Sequence, residues 1–308
     1  MSYSNKYLEQ VKLLLDILPV INKQGCFALK GGTAINLFMR DMPRLSVDID
    51  LAYLPIEPRE EFLKNIQREV EILSQNIKSL PNKNIKVEKQ FTKDKLLSKL
   101  LVKNITSGII IEPNLILRGS VYPSEERELC ERAQNEFLTY CSIRTLSFAD
   151  IYAGKICAAL ARQHPRDLFD VRLLLKNEGI SEATRKAFVI YLASNSRPIH
   201  ELLNQNPNLE NMKRIYNEGF VGMTDEDVSY ESLVETRIKL IEILLKNMSY
   251  HEKQFLISVK EGNPNWDLME LDGIKQLPGL EWKLININKM EKQKKEASLE
   301  KLKKILAI

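Results

Sequence analysis

The chain has 308 residues, of which 44% are hydrophobic and 28% charged. These are the values of a globular protein, so disorder and collagen-like repeats are excluded. Lys+Arg is 45 and Asp+Glu is 41, and the net charge of +4 is too small as a total to name a partner.

The distribution of charge says more. Residues 283–308 hold eight Lys against three Glu, a net of +5. Residues 78–103, including Lys83, hold eight Lys against two acids, a net of +6, which leaves −7 for the rest. Clustered Lys suits a polyanion, although solvated surface helices carry such runs as often. Four Cys (Cys26, Cys130, Cys141, Cys157) lie far apart with no C-x-x-C spacing. They read as reduced, buried thiols of a cytoplasmic protein. Three His without ligand spacing exclude a structural zinc site. The apolar run Leu13–Ile21 contains Asp16 and is too short to span a bilayer, so no membrane association is expected.

In chain order, residues 5–22 read as an amphipathic helix. Cys26–Lys30 is a short apolar stretch broken by Gly31-Gly32. A helix follows at Thr33–Met39, then a strand at Ser46–Tyr53. Phe62, Ile66, Val70, Leu73 and Ile77 recur at helical spacing within Arg59–Leu80. Extended segments come next at 85–91 and 97–105, the second pairing with 108–117 through a turn at Thr106-Ser107-Gly108. A charged loop leads to an extended segment at Leu138–Ile143. From Ser147 the pattern is helical only: 148–162, 166–176, 182–194, 209–218, 231–248, 250–260 and the Lys-rich end. Strands mixed with helices, then helices alone, predict an α+β domain followed by a helical one. The polar, Pro-containing segment Ser194–Pro198 is the expected boundary, and a cut near Ser147 is equally arguable.

The sharpest chemistry lies in Lys30-Gly31-Gly32-Thr33 and Asp48-Ile49-Asp50-Leu51. In a strand, Asp48 and Asp50 project from one face while Val47, Ile49 and Leu51 point to the other. Two adjacent carboxylates repel unless a cation sits between them, and hard oxygen ligands suit Mg²⁺. A Gly-Gly turn before a helix offers backbone N–H groups to an anion. Alone, a D-x-D is most often a solvated strand end. The ordered combination of strand, Gly-Gly, helix, strand and D-x-D is far more specific.

With Arg44-x-Ser46-x-Asp48-Ile49-Asp50-Leu51 after Gly31-Gly32-Thr33, the chain resembles the nucleotidyltransferase superfamily with the DNA polymerase β-type fold. More narrowly, it resembles the abortive-infection AbiEii toxin family. A second signature fits: Lys155-Ile156-Cys157-Ala158-Ala159-Leu160-Ala161-Arg162, then Arg166-Asp167-Leu168-Phe169-Asp170. The resemblance covers residues 25–176. Thr33 stands where the superfamily often has Ser, the gap to Asp48 is longer, and His164-Pro165 lies between the two Arg. The implied fold is a nucleotidyltransferase-type mixed sheet flanked by helices over 1–197, then a helical-bundle domain over 198–308 with a Lys-rich C-terminal helix.

The resemblance also assigns roles. Asp48 and Asp50 hold Mg²⁺, in a two-metal site, and Glu112 is the expected third carboxylate, completing that site or deprotonating the attacking hydroxyl. Its residue-level alternative is a plain charge at a strand end. Gly31, Gly32, Thr33, Ser46, Lys155 and Arg162 bind the triphosphate of an NTP substrate. Lys155 and Arg162, seven residues apart, share a helix face. Asp167 and Asp170, at i and i+3, position the basic residues; near a helix start, Asp167 is also an ordinary dipole partner. Arg44 either touches phosphate or shapes the turn. His164 reads as a helix-end residue. The implied activity is transfer of NMP from NTP to an acceptor hydroxyl, RNA or a tRNA 3′ end, by the toxin of a bacterial toxin–antitoxin system with an antitoxin partner. The competing readings are a small-molecule or protein acceptor, and a non-catalytic RNA- or partner-binding member of the fold.

Overall fold

The computed structural model describes residues 3–81, 84–204, 209–224 and 226–308. The chain divides into two compact units. One comprises Met1–Ser147 with Val221–Asp227, the other Phe148–Phe220 with Val228–Ile308.

The first unit is built on one mixed sheet. Its strands are β1 (Phe27–Lys30), β2 (Asp48–Tyr53), β3 (Lys86–Phe91), β4 (Leu97–Lys103), β5 (Gly108–Arg118), β6 (Glu125–Glu128) and β7 (Ser142–Thr145). Their order is β3-β4-β5-β2-β1-β7-β6. β1 pairs antiparallel with β2, while β2 runs parallel to β5. The helices of this unit are α1 (Asn5–Asn22), α2 (Gly31–Ala34), α3 (Arg59–Lys78) and α4 (Glu131–Phe137), with a π-helical turn at Ile35–Met39 after α2.

Alternation sets the two faces of the sheet. Leu29 pairs with Leu51, and Ile49 with Ile111, and all four are fully buried. Helices α1 and α3 supply the other half of this core through Leu14, Leu18 and Ile21, and through Phe62, Ile66, Val70 and Leu73. Each such side chain contributes roughly 1.5–3 kcal/mol of burial. Asp48 and Asp50 alternate onto the opposite face, where both are half-buried. The β4–β5 hairpin closes as expected: Lys103 pairs with Gly108, and Asn104 Oδ1 accepts from the Thr106 and Ser107 amides at 3.0 and 2.7 Å.

Three local expectations differ. The charged loop contains β6, an edge strand of sequence Glu-Glu-Arg-Glu. The segment expected to be extended at 138–143 begins instead with Leu138 as the left-handed C-cap of α4, and β7 starts only at Ser142. The helix after Gly-Gly widens into a π-turn over Ile35–Met39.

The second unit is helical: α5 (Phe148–Arg162), α6 (Pro165–Asn177), α7 (Glu182–Ser194), α8 (Ile199–Leu202), α9 (Leu209–Gly219), α10 (Tyr230–Asn247), α11 (Tyr250–Glu261), α12 (Pro278–Asn288) and α13 (Lys292–Leu306). Caps explain several starts. Ser181 and Ser229 cap α7 and α10, and Ser249 with Glu252 forms a full capping box on α11. Glu252 also pairs with Arg185 at 2.9 Å, tying α11 to α7. The core holds Phe169, Phe188, Leu240, Leu244 and Phe255, each fully buried. Among the described residues, no helix is long and apolar enough to cross a membrane.

Candidate nucleotidyl-transfer site

The first unit gathers the first-signature residues at the end of β1 and the start of β2. Gly31 has φ +74°, a conformation glycine adopts freely. It is also pressed against Asp50: a Cβ there would overlap the Asp50 carboxylate and stand 3.1 Å from Asp50 Cβ. A Cβ on Gly32 would stand 2.7 Å from Arg44 Nη2 and 2.8 Å from Ser46 Oγ. Gly31 is therefore required by its conformation and its contact with Asp50, while a side chain at Gly32 would have to displace the Arg44 guanidinium and the Ser46 hydroxyl.

Thr33 donates its hydroxyl to the Asp48 carbonyl at 2.5 Å and lies 3.1 Å from Ser46 Oγ. Thr33 and Ser46 are both buried. Their hydroxyls thus fasten the turn to β2. Arg44 is 2% exposed and donates to the Leu45 carbonyl, while its backbone bridges to Thr224. Of its two sequence readings, shaping the turn describes this arrangement.

Glu112 on β5 is the register partner of Asp50, and Lys30 on β1 is the partner of Asp50 on the other side. Three neighbouring strands thus carry a row Lys30–Asp50–Glu112 on one face. A cavity of ≈ 290 Å³ adjoins this row, lined by Lys30, Asp50, Ser98, Glu112, Pro113 and Asn114 among others. Lys99 on β4 reaches Glu112 at 2.9 Å. The sequence reading named Lys30 within the Gly-Gly motif without a role and did not single out Lys99. The signal for Lys30 was present: it follows buried Leu29, so alternation puts it on the Asp50 face.

The donor set of Asp48, Asp50 and Glu112 is all hard oxygen, which fits Mg²⁺ in chemistry. Among the described residues, no three His, Cys, Asp or Glu side chains are already gathered as a metal cluster. Glu112 is exposed and engaged with Lys99. The two carboxylates that share a face of one strand are Asp48 and Asp50.

The second-signature residues belong to the helical unit and cluster there. Lys155 on α5 pairs with Asp167 and Asp170 on α6, each at 3.0 Å. Arg162 adds Nε to Asp167 Oδ2 at 2.7 Å and Nη2 to Oδ1 at 3.1 Å. The i, i+7 spacing does put Lys155 and Arg162 on one face, since both meet Asp167. Burial opposes ionisation of Asp167, but the Lys155 and Arg162 charges overcome it and hold the carboxyl well below its usual range. Lys155 is 6% exposed, whereas the Arg162 side chain is 64% exposed. His164 is the N-cap of α6, its Nδ1 accepting from the Arg166 amide at 3.2 Å.

The Lys-rich segment 78–103 runs from the end of α3 through the β3–β4 hairpin, with Lys83 outside the described residues. Its charge is partly neutralised by Lys89–Glu71, Lys99–Glu112 and Lys103–Glu88 pairs. The four thiols are free, two of them buried and two half-buried. Burial pushes Cys26 up to about 12 and Cys130 and Cys141 to about 11, so none is primed as a nucleophile.

Comparison with solved structures gives the fold. MenT4, a nucleotidyltransferase toxin from Mycobacterium tuberculosis H37Rv, is similar at a TM-score of 0.61 and 14% identity, over 92% of this chain and 95% of that one. The mixed sheet with its helices is thus a nucleotidyltransferase-toxin fold. The family model described as "Nucleotidyl transferase AbiEii toxin, Type IV TA system" matches residues 12–255, and the chain belongs to that family of transferases. No curated protein matches the sequence.

Proposed function

We propose that this chain transfers NMP from an NTP to a hydroxyl of an acceptor RNA, with a tRNA 3′ end as the preferred acceptor, and that it needs Mg²⁺. The observation that carries the proposal is the Asp48–Asp50 pair, with Gly31 packed on Asp50 and Glu112 at the same register.

Asp48, Asp50 and Glu112 would hold the divalent ion, which when bound offsets the negative charge of the triphosphate. The Gly31-Gly32 backbone is the anion cradle, and its N–H groups orient the phosphates. Thr33 and Ser46 keep that cradle on β2. Lys155 and Arg162 are proposed phosphate-neutralising cations, from their place in the second signature. Asp167 and Asp170 hold the Lys155 ammonium in one position. Glu112 takes the proton of the acceptor hydroxyl. The acceptor oxygen then bonds to the α-phosphorus while the bond from that phosphorus to the bridging oxygen breaks, and pyrophosphate leaves.

The acceptor is tested by following pyrophosphate release with each NTP against total tRNA, protein and small hydroxylated compounds. Release that depends on tRNA supports the RNA reading. Release only with a small compound, unchanged after deletion of residues 283–308, replaces it.

A further inference from the structure

Strand β5 is irregular just past Glu112. Leu51 pairs with Pro113 and Tyr53 with Arg118, so two steps along β2 are matched by five along β5. Residues 114–117 therefore lie outside that register as a bulge. Asn114 pins it: its Oδ1 accepts from the Ile116 and Leu117 amides at 2.9 and 2.8 Å. Both partners are donors, so the carboxamide oxygen faces them and its Nδ2 faces elsewhere. Among the described residues, that Nδ2 has no hydrogen-bond partner.

The bulge walls the cavity of ≈ 290 Å³ that Asp50 and Glu112 also line. Asn114 brings to it a carboxamide with two N–H donors, and Ile116 an apolar side chain that is 64% exposed. That apolar surface leaves water only when something occupies the cavity. The volume is close to the lower bound of small-molecule pockets, roughly 300–1,000 Å³, so it suits one nucleoside rather than a duplex. The strand order places Glu112 between the Gly31-Gly32 turn at the end of β1 and the cavity wall at Ser98 on β4. A triphosphate on the Gly-Gly cradle thus approaches Asp50 from the β1 side, and the β4–β5 side is left for the second substrate.

We propose that this cavity holds the terminal nucleoside of the acceptor RNA. Ile116 lies against the face of its sugar or base, and Asn114 Nδ2 donates to an oxygen or nitrogen on the base edge. The inference rests on the proposed function and names the residues that select its acceptor. A nucleoside seated there presents its hydroxyl to Glu112, two residues before Asn114 on the same strand.

The test titrates the full chain with a 5′-fluorescein RNA trinucleotide bearing a free 3′-hydroxyl, in EDTA, read by fluorescence anisotropy. Wild type binds. Ile116→Ala weakens binding about tenfold with an unchanged melting temperature, because the side chain it shortens is exposed in the free protein. Asn114→Asp keeps an oxygen for the Ile116 and Leu117 amides but loses the Nδ2 donors. It weakens binding at least about fivefold, the scale of one hydrogen bond, with the melting temperature retained. The loss is the same at about 50 and 200 mM salt, as repulsion by a new charge would not be. No binding by wild type, equal binding by Ile116→Ala, or an Asn114→Asp loss that vanishes at the higher salt overturns the proposal. In turnover, both variants raise KM for tRNA and leave KM for NTP unchanged; the reverse gives the cavity to the donor nucleotide and overturns it as well. Failure of wild type to label RNA with any NTP would refute the proposed function, whereas the trinucleotide titration involves no transfer and decides the pocket separately.

Discussion

Asp50 on β2 and Glu112 on β5 occupy the same register of two parallel strands, so their side chains leave the sheet on one face. Two carboxylates at that spacing are costly without a cation, and the protein supplies Lys99 to one of them. The pairing gives Glu112 two alternatives, Lys99 or a bound ion. Lys99→Gln should therefore lower the divalent-ion concentration needed for half-maximal activity. Lys99 and Glu112 are both substantially solvent-exposed, so stability should change by no more than ~1 kcal/mol. An ion titration of activity, with a urea melt alongside, checks both parts.

Gly31→Ala should remove activity and destabilise the fold. A left-handed non-glycine residue costs about 1–2 kcal/mol, and the new methyl would also displace the Asp50 carboxylate. Gly25→Ala is the control. Its φ is +68°, but nothing lies within 4 Å of the added Cβ. It should cost stability alone and leave the transfer rate unchanged, as single-turnover kinetics and denaturant melts of the two variants will read out.

Lys155→Met leaves Asp167 and Asp170 buried without their shared ammonium. Breaking a buried pair in this way costs about 3–5 kcal/mol. Loss of activity in this variant should thus come with a lowered melting temperature, whereas Arg162→Gln, which leaves Asp167 its Lys155 partner, should weaken activity with a smaller fall in melting temperature. Paired melting and rate measurements separate the two.

Asp167 also sets a pH dependence. Its folded pKa is depressed well below the ordinary aspartate value of 3.8. The unfolded chain therefore takes up a proton first as pH falls, and the stabilisation is present above pH 3.8 and lost progressively below it. Asp167→Asn should flatten the acid limb of the stability profile between pH 5 and pH 2, read by urea unfolding at fixed pH steps.

Much of this was legible in the sequence, for local reasons. The Gly-Gly turn and the alternation of Asp48-Ile49-Asp50-Leu51 announce the first strand pair and its two faces. The helical spacing of Lys155 with Arg162, and of Asp167 with Asp170, announces the second cluster. The misses are non-local or lack an apolar pattern. Strand β6 reads Glu-Glu-Arg-Glu, and an edge strand with that composition has no hydrophobic alternation to find. The Asp50–Glu112 register joins strands separated by more than fifty residues, and only tertiary pairing sets it. Lys99 was one of eight Lys in a basic run, and its pairing with Glu112 follows from the β4–β5 register. The fate of the Thr33 and Ser46 hydroxyls, turned inward to hold the turn, likewise depends on contacts across thirteen or more residues.

The central claim is that Asp48 and Asp50 carry nucleotidyl transfer to RNA. It is tested most directly by incubating the protein with α-labelled NTPs, Mg²⁺ and total tRNA, alongside Asp48→Asn and Asp50→Asn variants of unchanged melting temperature. The account predicts label on tRNA with wild type and a loss of about 10²–10³-fold or more in each variant, the scale of removing one preorganised electrostatic group. Equal labelling by wild type and both variants, or no labelling of tRNA by wild type with any NTP, would contradict it.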